Sequence, residues 1–314
     1  MTRVLVIGGT SLVGSHFVAN SRHEIWAAGR RNPEELGARV ARFQHLDVTD
    51  GNEVDSVIDA TPAELVVNFA AATDVGAVER ERALGESPGT PANAWALNAL
   101  APGRMAAACG RSGRRFITFS TDFVFDGSSG PYGEQAAPAK SSELVSWYGW
   151  TKAVGERNVA EANAQATVIR ISYPFRSEFA FKDDFARRIL RWRSQGRMPP
   201  LFVDQTLTPT WIPDVTNALD FLVDTAMTGT VHVASPTTTT PYEFGTELLQ
   251  SLEGNAPTLE RGDARSAMHA AGSYLRPLRG GLRCERLASQ GVPLTPWDVA
   301  VHALVRQIRS QGGG

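Results

Sequence analysis

The sequence predicts an α/β fold: a doubly wound parallel sheet followed by a smaller α/β lobe. Three observations carry that prediction. Short β-rich runs alternate with helical patterns over residues 1–172. Several of those runs, Val4-Leu5-Val6-Ile7 first among them, are uninterrupted apolar stretches, as strands buried on both faces require. A glycine-bearing turn joins the first run to the first helical pattern.

Residues 4–7, 24–28, 43–48, 65–70, 115–120 and 167–172 read as strands, and 12–20, 53–59, 92–109 and 147–163 as helices. Strands alternating with helices build right-handed βαβ units. Beyond Ser172 the rhythm loosens. Helices are expected at 183–195, 215–224, 244–252 and 296–309, with a strand at 230–234. The threonine-rich stretch from Pro236 to Pro241 reads as a loop, and residues 312–314 as a frayed tail. Residues 1–172 are thus one unit and 173–314 a smaller lobe packed on it, with the chain free to cross between them.

Composition narrows the function. With 42% hydrophobic and 20% charged residues, the 314-residue chain can fill a sizeable core, which excludes disorder. Its 31 basic residues stand against 33 acidic ones, a net charge of −2 without the basic footprint of a nucleic-acid binder. Cys109 and Cys284 offer neither a disulfide framework nor a thiolate cluster, which suits a reducing compartment, here the cytoplasm. No apolar run reaches the ~18 residues of a membrane span. The run after Arg3 stops at glycines too soon for a signal-peptide core. His16, His23, His45, His232, His269 and His302 show no ligand spacing, so no metal is expected.

The turn Gly8-Gly9-Thr10-Ser11-Leu12-Val13-Gly14 lies between strand and helix, where a Rossmann-type fold holds a dinucleotide. Gly8 permits the tight turn, the helix N-terminus offers N–H groups to a pyrophosphate, and Gly14 lets the helix pack closely. Ser11 stands where such loops usually carry a middle glycine. The second strand ends in Gly29-Arg30-Arg31, without the carboxylate that favours NAD. Arg30 and Arg31 can fork onto a 2′-phosphate, which selects NADP(H) with NAD(H) as the lesser option, or they are solvated loop residues. Asp47-Val48 can hold an adenine edge, or Asp47 is a local turn residue.

Tyr148 and Lys152 are i and i+4 in Tyr148-Gly149-Trp150-Thr151-Lys152, so both project from one helix face. An adjacent ammonium is expected to lower the phenol's pKa. Ser120-Thr121-Asp122 lies at the end of the fifth strand, the end at which open α/β sheets place their chemistry. A hydroxyl there can bind a substrate carbonyl while tyrosine delivers a proton.

These segments resemble the extended short-chain dehydrogenase/reductases, and within them the dTDP-4-dehydrorhamnose reductases and related nucleotide-sugar ketoreductases. The resemblance extends to Leu46-Asp47-Val48-Thr49-Asp50, Val67-Asn68-Phe69-Ala70-Ala71-Ala72-Thr73-Asp74-Val75, Leu97-Asn98-Ala99, Ser120-Thr121-Asp122-Phe123-Val124-Phe125-Asp126-Gly127, Arg170-Ile171-Ser172, Val203-Asp204-Gln205, Pro209-Thr210-Trp211-Ile212-Pro213-Asp214 and Arg276-Pro277. It implies Thr121, Tyr148 and Lys152 as catalytic residues, the last two also meeting the cofactor. Gly8, Thr10, Ser11, Leu12, Val13, Gly14, Arg30, Arg31, Asp47, Val48, Ala70, Ala71, Ala72, Asn98 and Ser120 would complete the cofactor site. Thr73, Val75, Asp122, Tyr173, Gln205 and Arg276 would meet a nucleotide-diphosphate sugar, Arg276 as a diphosphate clamp or else a surface arginine. Tyr173 replaces the usual tryptophan, and the stretch 79–91 is longer than usual. Sugar 4,6-dehydratases of this superfamily carry Thr-Asp-Glu, and here Phe123 fills the glutamate position, which disfavours dehydration. The implied activity is NADPH-dependent reduction of carbon 4 of a deoxysugar nucleotide such as a dTDP-4-keto-6-deoxyhexose. An epimerase, or a regulatory subunit like methionine adenosyltransferase beta, is the alternative, and a homodimer is possible. Trp192 reads as core packing, and the basic face of Arg187, Arg188, Arg191 and Arg193 as solvated.

Overall fold

The computed structural model describes residues 1–36, 40–87, 93–176, 182–270 and 272–311. Nine strands lie among them: β1 (Arg3–Ile7), β2 (Glu24–Gly29), β3 (Arg42–His45), β4 (Leu65–Asn68), β5 (Arg115–Thr121), β6 (Thr167–Ile171), β7 (Leu201–Phe202), β8 (Gly229–Val233) and β9 (Arg261–Gly262). Seven form one sheet in the order β3-β2-β1-β4-β5-β6-β8, with every neighbouring pair parallel. The order reverses between β1 and β4, which opens a crevice at the carboxyl ends of the strands.

Helices cover both faces. On one, Val4 and Val6 of β1 pack with Val13 and Phe17 of α1 (Leu12–Asn20) and Val215, Leu219 and Leu222 of α7 (Ile212–Thr225). On the other, Leu5 and Ile7 pack with Val54 and Ile58 of α2 (Gly51–Ala60), Met105 of α4 (Ala101–Arg111) and Val159 of α5 (Trp147–Ala162). Alternate residues of one strand thus enter opposite cores, which is why the run is apolar throughout. Side-chain caps fix the helix starts: Ser11 for α1, Asp50 for α2 and Ser146 for α5.

The smaller lobe packs Phe175, Leu207 and Trp211 against α6 (Phe185–Ser194), α8 (Pro241–Glu253) and α11 (Trp297–Gln311), beside the β7–β9 pair. Trp192 is partly buried in this core, and the basic face of α6 pairs Arg191 with Asp183 and Arg193 with Glu253. Three short helices, α3 (Val75–Arg80), α9 (Ala264–Ala267) and α10 (Glu285–Ser289), complete the α-helices among the described residues. None of the helices among the described residues is long and apolar enough to cross a membrane.

Several expected boundaries move. The strand expected in the second lobe is β8, and it pairs with β6 in the main sheet, while α7 packs on α1. The chain therefore crosses back after Ser172, and residues 212–233 belong to the larger unit. The third strand stops at His45, because Asp47 Oδ1 accepts from the Thr49 N–H and hydroxyl and turns the chain. The fourth stops at Asn68, whose side chain takes the Ala70 N–H. The helix expected from residue 92 has its first residue outside the described set. It opens as a π-helical stretch, Trp95–Leu100, before α4. Residues 88–91 of the long stretch and the tail 312–314 also lie outside the described residues.

Candidate active site

The carboxyl ends of β1, β2, β4, β5 and β6 converge on one crevice. At β1, Gly8 has φ +76, and a Cβ there would stand 2.7 Å from the Ala70 nitrogen. Only glycine lets the loop lie this close to the strand-end backbone. Ser11 does not obstruct the loop. Its hydroxyl caps α1 by accepting from the Gly14 N–H at 3.0 Å. The other N–H groups of the first helical turn, those of Leu12 and Val13, have no intrahelical partner by helix geometry and can meet phosphate oxygens. The Val13 and Val48 side chains are buried in the cores, so these two residues offer backbone alone. Thr10 is half-buried at the loop.

Arg30 is exposed at the end of β2, close enough to Asp47 to help hold its carboxyl below the usual range, although the Thr49 hydrogen bonds do most of this. Arg31 is exposed and ion-paired with Glu35 at 3.2 Å. Ala70, Ala71 and Ala72 are half-buried along the path beyond β4. Asn98 is 1% exposed, and its amide is spent on holding that path. Its oxygen accepts from the Ala72 N–H, and its nitrogen donates to the Ala72 carbonyl, both at 2.9 Å, and to Thr151 at 3.2 Å. Asn98 therefore positions the path instead of lining it. The Ser120 hydroxyl is buried without a hydrogen-bond partner among the described residues. That orphaned hydroxyl, the glycine cradle and the open helix turn fit a dinucleotide.

Tyr148 and Lys152 both reach from α5 toward the end of β5, Tyr148 beside Thr121 and Lys152 at Phe119. Tyr148 is 9% exposed and edge-on to Phe123, with its phenol beside the Thr121 hydroxyl. Lys152 Nζ donates to the Phe119 carbonyl of β5 at 2.6 Å. Burial lowers the lysine to about 8, and Glu156, one turn further along α5, counters this. Glu156 is itself held by Arg170 of β6 at 2.6 and 2.9 Å. Burial pushes Tyr148 up to about 12, the Thr121 hydrogen bond opposes that, and the Asp122 charge adds to it. The phenol therefore does not take the lowered pKa expected from its neighbouring ammonium. Lys152 turns one of its three donors to a strand carbonyl, and exclusion of water costs a phenolate more. A phenol with a raised pKa is fully protonated at neutral pH, the state a proton donor needs.

Ala72, Val75 and Tyr173 pack with Phe123, Tyr148 and Tyr274 in one apolar wall. Gln205 is buried and donates to the Tyr173 hydroxyl at 2.9 Å. Tyr173 takes a left-handed backbone, φ 44, which is costly for a bulky residue and marks a constrained position. Arg276 lies between the rings of Tyr274 and Phe202, at 4.6 and 5.0 Å, with its Nε buried and without a hydrogen-bond partner among the described residues. Thr73 is exposed at the rim, where its hydroxyl accepts from Lys182. Asp122 departs from the expected sugar-facing role. It is 1% exposed, and its Oδ2 is taken by the Ser172 hydroxyl at 2.7 Å.

Residues 1–310 match the family of the RmlD substrate binding domain. The chain belongs to this family. A probable low-salt glycan biosynthesis reductase of Haloferax volcanii, Agl14, is 33% identical over 258 residues, which cover 81% of this chain and 82% of that protein. The dTDP-4-dehydrorhamnose reductase of Mycobacterium tuberculosis H37Rv is 30% identical over 237 residues, 74% of this chain and 70% of that one. Methionine adenosyltransferase 2 subunit beta of Pongo abelii is 27% identical over 311 residues, 95% and 86% of the two chains. The solved structure of Bacillus anthracis dTDP-4-dehydrorhamnose reductase in complex with NADP matches with a TM-score of 0.78 at 21% identity, covering 98% of each chain. As a member of the RmlD family, the protein is an NAD(P)-dependent oxidoreductase with the extended short-chain dehydrogenase/reductase fold, as its motifs implied.

Within this RmlD-family site, sequence reasoning missed three residues. Arg176 is buried against the first turns of α1 and donates to Ser15 at 3.1 Å, adding positive charge behind the phosphate loop. No motif announces it. Ser172 was matched by resemblance but given no role, and it donates to Asp122 at 2.7 Å. Glu79, in the long stretch, accepts from the Trp147 N–H at 2.7 Å and so helps to start α5.

Proposed function

We propose that the protein reduces a ketone, at carbon 4 of a deoxysugar nucleotide such as a dTDP-4-keto-6-deoxyhexose, with NADPH as the preferred donor. The observation that supports this reading is that Tyr148 and Lys152 of α5 both reach toward the end of β5, Tyr148 beside Thr121 and Lys152 on the Phe119 carbonyl. When bound, the reduced nicotinamide supplies a hydride. Tyr148 gives its phenolic proton to the incipient alkoxide. Lys152, charged at neutral pH, stabilises the phenolate left behind. Thr121, at the end of β5, orients the substrate oxygen. Arg276, flanked by two rings, is placed to clamp a diphosphate, while Thr73, Val75, Tyr173 and Gln205 wall the sugar.

Mixing the protein with NADPH and a panel of keto-sugar nucleotides tests the reading. Loss of reduced-nicotinamide absorbance supports it. Sugar interconversion without net NADPH consumption indicates the epimerase. Cofactor binding without any turnover favours a partner-protein role, for which the likeness to methionine adenosyltransferase 2 subunit beta over 95% of this chain is the supporting observation.

Cofactor choice has its own test. Arg30 is expected to hold the 2′-phosphate, since Arg31 is engaged by Glu35. Arg30→Ala should raise the KM for NADPH by about 10- to 100-fold, the worth of one charge-assisted hydrogen bond, and leave the KM for NADH unchanged. Equal effects on both cofactors would contradict the assignment.

A further inference from the structure

Tyr173 is held in its left-handed conformation from both sides. Thr210 takes the Ser172 N–H on its hydroxyl at 2.9 Å and gives its own N–H to the Ser172 carbonyl at 2.7 Å. Its carbonyl receives the Phe175 N–H at 3.0 Å. The chain before Tyr173 and the chain after Pro174 are thus tied to one residue, which leaves Tyr173 at φ 44. A bulky residue keeps such a conformation only where its surroundings over-determine it, and such positions cluster at ligand clamps. The ring is fixed too: Phe185 of α6 lies edge-on to it at 5.0 Å, and Phe123 is tilted against it at 6.0 Å.

The hydroxyl on that ring has a fixed polarity. Gln205 Nε2 donates to Tyr173 Oη at 2.9 Å and to the Pro277 carbonyl at 3.4 Å. A carbonyl only accepts, so the Pro277 oxygen decides which end of the amide faces the phenol. Gln205 is 1% exposed, and its neighbour Thr206 is tied to the strap that starts at Arg276. The Thr206 N–H meets the Leu278 carbonyl at 2.7 Å, and the Gly280 N–H meets the Thr206 carbonyl at 3.0 Å. Tyr173 Oη therefore accepts from Gln205, and its own hydrogen meets no acceptor among the described residues. Burial, reinforced by the Asp122 charge, raises the phenol, so that hydrogen is in place at neutral pH.

We infer that Tyr173 is a specificity-determining residue, whose hydroxyl donates a hydrogen bond to the hydroxyl oxygen on carbon 2 or carbon 3 of the bound sugar. The position on the sugar rests on the carbon-4 reading. Phe123 lies between the Tyr148 ring, which takes carbon 4, and the Tyr173 ring. Gln205 joins Tyr173 to the segment of Arg276, which takes the diphosphate on carbon 1. Carbons 1 and 4 are opposite corners of a pyranose. Of the two edges that join them, one carries the hydroxyls of carbons 2 and 3, and the other carries the ring oxygen, a poor acceptor. The donor reads the hydroxyl-bearing edge, so the substrate class is a nucleotide sugar that keeps a hydroxyl there.

Binding tests this without turnover. The full chain is loaded with NADPH and titrated in a calorimeter with dTDP-6-deoxyglucose and with its 2-deoxy and 3-deoxy counterparts. Cofactor and sugar are both reduced, so no hydride moves. The wild type should bind at least one of the deoxy sugars about 10-fold more weakly than the parent, the worth of one hydrogen bond. Tyr173→Phe keeps the ring and should bind all three within about twofold of one another. Gln205→Glu offers the phenol an acceptor in place of a donor, takes its hydrogen, and should erase the preference as well. Equal binding of the three sugars by the wild type, or a preference that survives in Tyr173→Phe, overturns the inference. Turnover of a keto-sugar nucleotide without any such preference overturns the Tyr173 assignment and leaves the reductase reading standing. A preference that Tyr173→Phe erases, with no turnover of any keto-sugar nucleotide, upholds the assignment and rejects the reductase reading instead.

Discussion

Replacing Tyr148 with phenylalanine is expected to lower kcat by about 10³-fold while NADPH binding stays within about threefold. The ring survives the change. It keeps its place in the apolar wall with Phe123 and Val75, so the crevice retains its shape. What is lost is the proton. The donor must be protonated before the reaction, and burial at about 12 ensures that Tyr148 is. The same account fixes the alkaline side of the rate profile. As pH rises through about 8, Lys152 loses its charge, the phenolate loses its stabilising ammonium, and kcat should fall. Steady-state kinetics and cofactor fluorescence measure both effects. A Tyr148→Phe variant within about tenfold of wild type would mean that the proton comes from elsewhere.

The second large effect is on stability. Gly155→Ala should destabilise the protein by about 3 kcal/mol, although alanine in a helix is ordinarily better than glycine by ~1 kcal/mol. A Cβ at Gly155 would stand 2.1 Å from the Asn98 carbonyl oxygen, where α5 presses on the π-helical stretch. Neither partner can yield easily, since the Asn98 amide also holds Ala72 and Thr151. Gly110 in α4 is the control. A Cβ there meets nothing closer than 3.7 Å, so Gly110→Ala should be neutral or mildly stabilising. Urea denaturation of both variants separates the effects. Equal stability of the two would show that α5 has room at Gly155.

The parts of the molecule legible in the sequence are those that local pattern dictates. The β1 run, the glycine turn and the Tyr148–Lys152 stripe are each set by residues within a few positions of one another, and they reappear in the structure. What was not legible depends on distant partners. Residues 229–233 form a strand on local grounds, but nothing in them says that β6 is the neighbour. Asp122 reads as a site residue, yet the hydroxyl that holds its carboxylate belongs to Ser172, far along the chain. The direction of the Tyr148 shift could not be read either, because burial is a property of the packed fold. Arg176 meets Ser15 of α1 from 161 positions along the chain, and its sequence neighbourhood carries no signal.

The most direct test of the central claim uses NADPH deuterated at the nicotinamide C4 position, with a dTDP-4-keto-6-deoxyhexose in ordinary water. The account predicts one deuterium on carbon 4 of the reduced sugar and one NADPH consumed per product. Deuterium that stays on the cofactor while the sugar changes, or a reduced sugar with only ordinary hydrogen at carbon 4, would contradict it.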